Sequence, residues 1–164
     1  MRHFIFTVRF YSNKIYWLCI NPFRKLYWYI TRPHTTHGAK CVVENNGNIL
    51  FVRPTYGDKK WDIPGGLSNQ GETLEYAAIR EVKEESGVAI SGLVPIGTYR
   101  EHRDFRLDEP TIFYARTDAT DCVADGIEIA EAAFFPLTAL PENRTPRADL
   151  TLDRYRRAKE EKRI

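Results

Sequence analysis

The apolar positions between residues 40 and 136 form short runs separated by turn residues, a pattern typical of strands. Asn45–Asn48 divides two of these runs, and Asn and Gly in that segment accept positive φ, which predicts a β-hairpin. The runs that we predict to form strands are Lys40–Glu44, Ile49–Arg53, Val88–Ile90, Leu93–Arg100 and Thr111–Arg116, and Ala130–Phe135 is a further apolar stretch that ends at a proline.

Two segments have a helical pattern. Thr73–Ser86 is followed by Gly87, which suits the position after the last helical turn. Asp149–Lys162 is charged and carries Leu152 and Tyr155 on one side. Strands before and after one internal helix, with a second helix at the end, predict an α/β fold in which a mixed sheet carries helices on its faces.

Two segments are predicted to be irregular. Arg32–Gly38 is punctuated by Pro, Thr and Gly and is interpreted as a linker, which separates an N-terminal extension (1–37) from a domain (38–164). Glu101–Pro110 is interpreted as a loop, and some substrate selectivity is expected there because loops commonly carry specificity.

The N-terminal segment 1–32 is aromatic and basic. It contains six Lys and Arg residues and no Asp or Glu, whereas the other 132 residues carry 18 basic and 22 acidic residues. The acidic balance of that remainder does not suggest a nucleic-acid-binding surface. The longest uncharged run, Ile15–Phe23, is too short to span a bilayer. Two alternatives stay open for the segment: packing on the domain or on a second subunit as a homodimer, or peripheral contact with a membrane surface.

Length and composition narrow the class of protein. A chain of 164 residues suits one domain with its own core. Its 43% hydrophobic and 28% charged residues exclude a disordered chain, a collagen-like fibre and a coiled coil. The cysteines at positions 19, 41 and 122 cannot all pair with one another, which argues against a disulfide scaffold. A reducing compartment, the cytoplasm, is the simpler expectation.

The predicted helix Thr73–Ser86 has an unusual charge pattern. With Glu81 placed at 0°, Glu85 falls at about 40° and Glu84 at about 300°, on the same arc as the apolar Leu74, Ala78 and Val82. A solvated helix would place its carboxylates opposite the apolar stripe. Carboxylates beside a buried face repel one another and are costly to desolvate, so a positive partner is required. Oxygen donors of this kind suit Mg²⁺ or Mn²⁺.

The segment before this helix is consistent with such a site. Pro64-Gly65-Gly66 lets the backbone approach a ligand closely, and a carbonyl there could complete a metal's coordination shell. Glu72 at the helix entry and Arg80 could form an ion pair that holds the loop against the helix.

Residues 66–88 resemble the Nudix box, GX5EX7REUXEEXGU, at every fixed position. The matching residues are Gly66, Glu72, Arg80, Glu81, Val82, Glu84, Glu85, Gly87 and Val88. The flanks extend the resemblance, because Trp61–Gly65 is similar to the usual strand entry and Glu131–Leu137 to the usual late segment.

The resemblance implies an α/β/α sandwich and a metal-dependent hydrolase. By family role, the metal ligands would be Glu81, Glu84 and Glu85, one of which would orient or deprotonate the attacking water. The Gly65 carbonyl would also bind metal, and Glu72 and Arg80 would be the structural pair. Glu128 lies about where some members place a further glutamate, with Glu101 and Glu131 as rivals.

The implied reaction is hydrolysis of a nucleoside diphosphate linked to another group, with Mg²⁺ or Mn²⁺ as cofactor. Candidate substrates are sugar nucleotides, ADP-ribose and nucleoside triphosphates, and Arg53, Trp61, Arg103 and Phe105 are candidate substrate contacts. The alternative is a Nudix-like module that holds a nucleotide without turnover. Such modules tend to lose box carboxylates, and all of them are present in this chain.

Overall fold

The computed structural model describes residues 35–103 and 106–164, with side chains for 35–102 and 107–164. The predictions for the segment 1–32 lie outside these residues. The elements in chain order are β1 Thr35–Asn45, β2 Asn48–Pro54, β3 Gly65–Leu67, α1 Leu74–Ser86, β4 Val94–Thr98, β5 Glu101–Arg103, β6 Arg106–Arg116, β7 Ile129–Pro136 and α2 Pro146–Glu160.

The seven strands of the described residues form one mixed sheet. Its main path runs β4-β6-β1-β2-β7, with β3 paired to β1 and β5 paired to β6. β1 and β6 are parallel over their whole length, from Thr35 opposite Leu107 to Glu44 opposite Arg116. The other pairs are antiparallel. β1 is therefore a central strand, buried on both faces, and its side chains reach both layers of the molecule.

One helix covers each face of the sheet. Successive residues of a strand point to opposite faces, so β1 contributes to two apolar clusters. Cys41 and Val43 pack with Ala78 and Val82 of α1, whereas Val42 packs with residues of α2, among them Leu152 and Tyr155. This arrangement confirms the predicted α/β/α sandwich around a mixed sheet.

The ends of α1 follow from its sequence. The Thr73 hydroxyl accepts a hydrogen bond from the Tyr76 amide at 3.2 Å and caps the first turn. Gly87 ends the helix with φ 71°, a left-handed conformation that glycine adopts without steric cost. The predicted helix at this place is confirmed, with Thr73 as its cap.

The linker prediction is wrong for residues 35–38, which form the start of β1. Thr35 and Thr36 are β-branched and favour a strand, whereas Gly38 resembles the punctuation of a linker. Gly38 has a packing role instead. A Cβ on Gly38 would lie 2.6 Å from the carbonyl oxygen of Gly66, so the glycine permits β3 to pair closely with β1.

Two other predictions are also wrong. Residues 101–103 and 106–110, predicted as loop, form β5 and the first half of β6. β5 lies at an edge of the sheet, where polar and charged residues are typical. Val88–Ile90 is not a strand. Val88 and Ile90 are buried in the apolar cluster that includes Ala78 and Val82 of α1. The apolar pattern at these positions therefore comes from core packing of an irregular segment.

In the described part of the chain, none of the helices is long and apolar enough to cross a membrane.

Candidate active site

The turn that opens the Nudix-box resemblance lies against both β1 and α1. Gly65 pairs with Lys40 in the β1–β3 register and has φ 152°. A Cβ on Gly65 would lie 2.2 Å from the Ala39 carbonyl oxygen, so only glycine fits. A Cβ on Gly66 would lie 2.3 Å from Oε1 of Glu81. The paired glycines thus bring the backbone within contact of the α1 carboxylates.

Glu85 binds this turn directly. Its Oε2 accepts a hydrogen bond from the Gly65 amide at 2.9 Å. Burial raises the pKa of Glu85 to about 8, and the negative charges of Glu81 and Asp62 add to the rise. The Gly65 amide and Lys40 oppose that rise only in part. The Glu85 carboxylate is therefore short of positive partners when no cation is present.

Glu81 lies beside it, with its side chain 16% exposed. It accepts a hydrogen bond from Nη1 of Arg80 at 2.8 Å. Burial raises the pKa of Glu81 above its ordinary value, Arg80 opposes the rise, and the charges of Glu84 and Glu128 add to it. Glu84 is 61% exposed and also accepts from Arg80, at 3.1 Å. The carboxylates of Glu81, Glu84, Glu85 and Glu128 thus share one region of negative charge.

Arg80 joins this region to the loop before the helix. Its guanidinium binds Glu72 through two hydrogen bonds of 2.8 and 3.0 Å and donates to the Leu67 carbonyl at 3.1 Å. The hydrogen bonds from Arg80 and from the Asn69 amide lower the pKa of Glu72 to about 2. The pair predicted as structural is therefore formed, and Arg80 also contacts two of the predicted metal ligands.

The donor chemistry of the site fits a hard divalent cation, because the side chains that would bind it present carboxylate oxygens. Within the described residues, however, no three carboxylate, His or Cys side chains are gathered closely enough to hold a metal ion. Arg80 binds the carboxylate oxygens of Glu81 and Glu84 instead, and the Gly65 amide binds Oε2 of Glu85. A cation would have to draw the Glu81 and Glu84 carboxylates away from Arg80.

The three candidates for a further glutamate lie in different places. Glu128 is exposed, and its charge reaches Glu81. Glu131 on β7 is bound by Arg53, with Nε of Arg53 3.2 Å from its Oε2. Glu101 lines a cavity that Glu85 also lines. The charge of Glu128 thus adds to the raised pKa of a box glutamate.

The cavity has a volume of about 270 Å³ and lies on the α2 side of β1. Its walls include Lys40, Asp62, Glu85 and Tyr99, together with Arg147 from the first turn of α2. Glu85 of α1 is part of its lining, so a molecule bound in it would lie next to that carboxylate.

The candidate substrate contacts are not brought together on this cavity. Trp61 packs edge-on against Phe135, with ring centroids 4.9 Å apart, and Arg53 lies 5.7 Å above the Trp61 ring. Neither residue lines the cavity. Phe105 and the side chain of Arg103 lie outside the described residues.

Sequence reasoning missed Lys40, Asp62 and Arg147 on the cavity wall. One signal was present for Lys40, a lone charge among the apolar residues Ala39 and Cys41–Val43 of a buried strand. No comparable signal marks Arg147, which reaches the cavity only because α2 packs on this face of the sheet.

Comparison with known proteins agrees with the fold. The family model described as NUDIX domain matches residues 34–155, well over half of the chain. A Bacillus subtilis (strain 168) protein provisionally named as an 8-oxo-dGTP diphosphatase is 34% identical over 95 residues, covering 58% of this chain and 62% of that protein. An ADP-ribose pyrophosphatase from Methanocaldococcus jannaschii is 30% identical over 112 residues, covering 66% of each chain. This chain therefore spans a little less than two thirds of either relative.

A solved structure, a MutT NUDIX hydrolase from Burkholderia pseudomallei, superposes with a TM-score of 0.67 at 19% identity, over 73% of this chain and 97% of that one. At this identity the likeness supports the fold alone. The match of the family model, together with the complete box on a glycine turn and helix of this fold, shows that the chain belongs to the Nudix family.

Proposed function

We propose that this protein is a divalent-metal-dependent hydrolase that cleaves the diphosphate bond of a nucleoside diphosphate linked to another group. The observation that carries the proposal is the convergence of Glu81 and Glu85 on the Gly65–Gly66 turn beside a cavity. Family membership supports the same reaction. The cytoplasm is the compartment we propose, as the cysteine content suggests.

The residues that would hold the cation are Glu81, Glu84 and Glu85, with the Gly65 carbonyl and Glu128 as further donors. A bound Mg²⁺ or Mn²⁺ would offset the charge of the diphosphate and lower the pKa of a bound water. The chain supplies the positioning. Glu85 is held by α1 and the glycine turn. The Arg80–Glu72 pair holds the helix to the preceding loop, and the cavity orients the substrate.

The substrate class stays at a nucleoside diphosphate linked to another group, because the two relatives carry different substrates in their names. The cavity of about 270 Å³ is at the lower end of the range for ligand pockets, which favours one nucleoside-sized group beside the carboxylates.

The test is product analysis with a panel of ADP-ribose, 8-oxo-dGTP, dGTP and a sugar nucleotide, in Mg²⁺, Mn²⁺ or EDTA. We expect cleavage of at least one compound at its diphosphate bond, with products separated by ion-exchange chromatography, and no cleavage in EDTA. Turnover that persists unchanged in EDTA would contradict the metal requirement. Tight binding of a nucleotide without turnover in either metal would favour the alternative of a nucleotide-binding module.

A further inference from the structure

Lys40 is a charged residue in the middle of the central strand. Its side chain is only 11% exposed, and it points to the α2 side of the sheet, where it lines the cavity. A nearly buried ammonium is costly unless its hydrogen bonds are satisfied. The partners that satisfy it indicate its role.

Both hydrogen-bonding partners of Lys40 belong to the segment that leads into the box. Nζ donates to Oδ1 of Asp62 at 2.8 Å and to the carbonyl of Ile63 at 2.9 Å. The same Asp62 oxygen accepts from the Ile63 amide at 2.8 Å. The backbone of Asp62 is in turn paired with Val52 of β2, with hydrogen bonds of 2.9 Å in both directions. Lys40 therefore holds the Asp62–Ile63 segment, whose first residue is already hydrogen-bonded to β2.

The fixed segment ends at the turn that binds Glu85. The Pro64 carbonyl accepts from the Cys41 amide at 3.1 Å, and Gly65 lies directly opposite Lys40 in the strand register. The Gly65 amide then donates to Glu85 at 2.9 Å. Only Pro64 lies between Ile63, whose carbonyl accepts from Lys40, and Gly65, whose amide donates to Glu85. A movement at Ile63 would thus change the direction of the Gly65 amide.

A second positively charged side chain, Arg147 of α2, also approaches the Asp62 carboxylate. Nε of Arg147, in the first turn of α2, lies 3.6 Å from Oδ2 of Asp62. This contact is longer than a hydrogen bond, so Lys40 is the stronger partner. It also makes Asp62 the point where β1, α2 and the segment before the box meet.

We propose that Lys40 is a positioning residue, whose ammonium, shared between Asp62 and the Ile63 carbonyl, holds the Gly65 amide in the orientation that fixes Glu85. Lys40 acts through the backbone and Glu85, with no chemical step of its own. The effect on catalysis rests on the proposed function, whereas the effect on the Gly65 amide does not.

The primary test is hydrogen exchange of the Gly65 amide, followed by NMR in the metal-free protein. Lys40→Met keeps the length and apolar stem of the side chain and removes its ammonium. We expect Gly65 to exchange about tenfold faster or more in this variant, the change expected when a hydrogen bond is lost. The matched control is Lys60→Met, in the same segment, since no described residue forms an ion pair with Lys60. Unchanged protection of Gly65 in folded Lys40→Met would overturn the proposal.

If Lys40→Met fails to fold, Asp62→Leu decides the same question, because it removes the carboxylate that holds the Lys40 ammonium while filling a similar space. We expect faster Gly65 exchange in it than in the Lys60→Met control, and equal exchange would overturn the proposal. Lys40→Arg, which restores a cation beside Asp62, should recover most of the Gly65 protection. A purely space-filling role would give no such recovery.

Metal binding and kinetics then test the consequence for the site. Mn²⁺ titration followed by electron paramagnetic resonance should show affinity weakened about tenfold to a hundredfold in Lys40→Met, as for other residues that orient ligands. With a substrate in hand, kcat should fall more than KM rises. If the wild-type protein neither binds Mn²⁺ nor turns over, the proposed function fails, and the Gly65 exchange result still decides the role of Lys40.

Discussion

At the scale of single residues, Arg80 is the side chain on which the candidate site depends most. It joins Glu72 at the helix entry to Glu81 and Glu84 further along the same helix. Because Glu72 is only 8% exposed, a neutral residue there would leave the guanidinium with less compensation.

We expect Glu72→Gln to lower the melting temperature at pH 7 by a few degrees. The pKa of Glu72 is lowered to about 2, so the ionised form stabilises the folded state above its ordinary pKa of 4.5. That contribution disappears as the pH falls from about 4.5 towards 2. Thermal unfolding at pH 7 and at pH 3 should therefore show a large difference between variant and wild type at pH 7 and a smaller one at pH 3.

The control for this prediction is Glu75→Gln, an exposed residue in the first turn of the same helix. It should unfold close to the wild-type temperature at both pH values. An equal loss in Glu72→Gln at pH 7 and pH 3 would show that the charge of Glu72 is not what matters.

At the scale of elements, the loop before β7 is organised by one carboxylate. Asp125 accepts three backbone amide hydrogen bonds, from Ile127 at 2.9 Å, Glu128 at 3.1 Å and Ile129 at 2.9 Å. The Glu128 carbonyl also accepts from the Thr55 amide at 2.9 Å. These bonds hold the backbone of Glu128, the residue whose charge reaches Glu81.

We expect Asp125→Ala to cost about 1–2 kcal/mol of unfolding free energy, because the lost bonds involve a charged acceptor on an exposed loop. It should also weaken Mn²⁺ binding if Glu128 contributes to the site. Urea unfolding and Mn²⁺ titration measure the two effects. Asp121→Ala, at an exposed position of the same segment, serves as control. A stability loss without any change in Mn²⁺ affinity would separate the loop from the metal site.

At the scale of the whole molecule, Glu44 near the end of β1 connects three elements. Its Oε2 accepts from the hydroxyl of Tyr114 on β6 at 2.7 Å and from Tyr155 of α2 at 3.0 Å, and Nζ of Lys159 lies 3.0 Å away. Burial acts to raise the pKa of Glu44, but these hydrogen bonds outweigh it and leave the pKa below its ordinary value. The cluster fastens α2, and with it Arg147, to the sheet.

We expect Glu44→Gln to lower the unfolding free energy by about 1–3 kcal/mol at pH 7. The carboxylate that binds two tyrosine hydroxyls and the Lys159 ammonium is replaced by a neutral amide. Because the pKa of Glu44 is lowered in the folded protein, this loss of stability should shrink as the pH falls below the ordinary glutamate pKa of 4.5. Urea unfolding at pH 7 and at acid pH measures this, with exposed Glu160→Gln as the matched control. A variant as stable as wild type at pH 7 would contradict the role of the cluster.

Both helices, the box carboxylates and strands at β1, β2, β4 and the second half of β6 could be predicted from the sequence, whereas β3, β5 and the first half of β6 could not. Strand alternation and the turn at Asn46–Gly47 are local signals, and the Gly87 cap ends α1 where the pattern indicated. Spacing along one helix also placed Glu81 and Glu85 on the side that meets the glycine turn, whereas Glu84 is 61% exposed and pairs with Arg80.

Features that depend on contacts between distant segments could not be predicted. Gly38 resembled linker punctuation because its purpose, close approach to Gly66, lies 28 residues away in the chain. The link between Lys40, Asp62 and Arg147 joins three elements, and no local pattern specifies their packing. Arg53 and Trp61 have suitable chemistry for a substrate, but Arg53 pairs with Glu131, Trp61 packs on Phe135, and neither lines the cavity.

The most direct test of the central claim compares wild type with Glu85→Gln and Glu84→Gln on the best substrate of the panel, in Mn²⁺ and in EDTA. Glu75→Gln on the same helix is the control. If the α1 carboxylates hold the cation, both box variants should fold normally and lose at least about a hundredfold in kcat, more than residues that only orient ligands. Metal-dependent turnover that survives in both box variants, at the level of Glu75→Gln, would contradict the account.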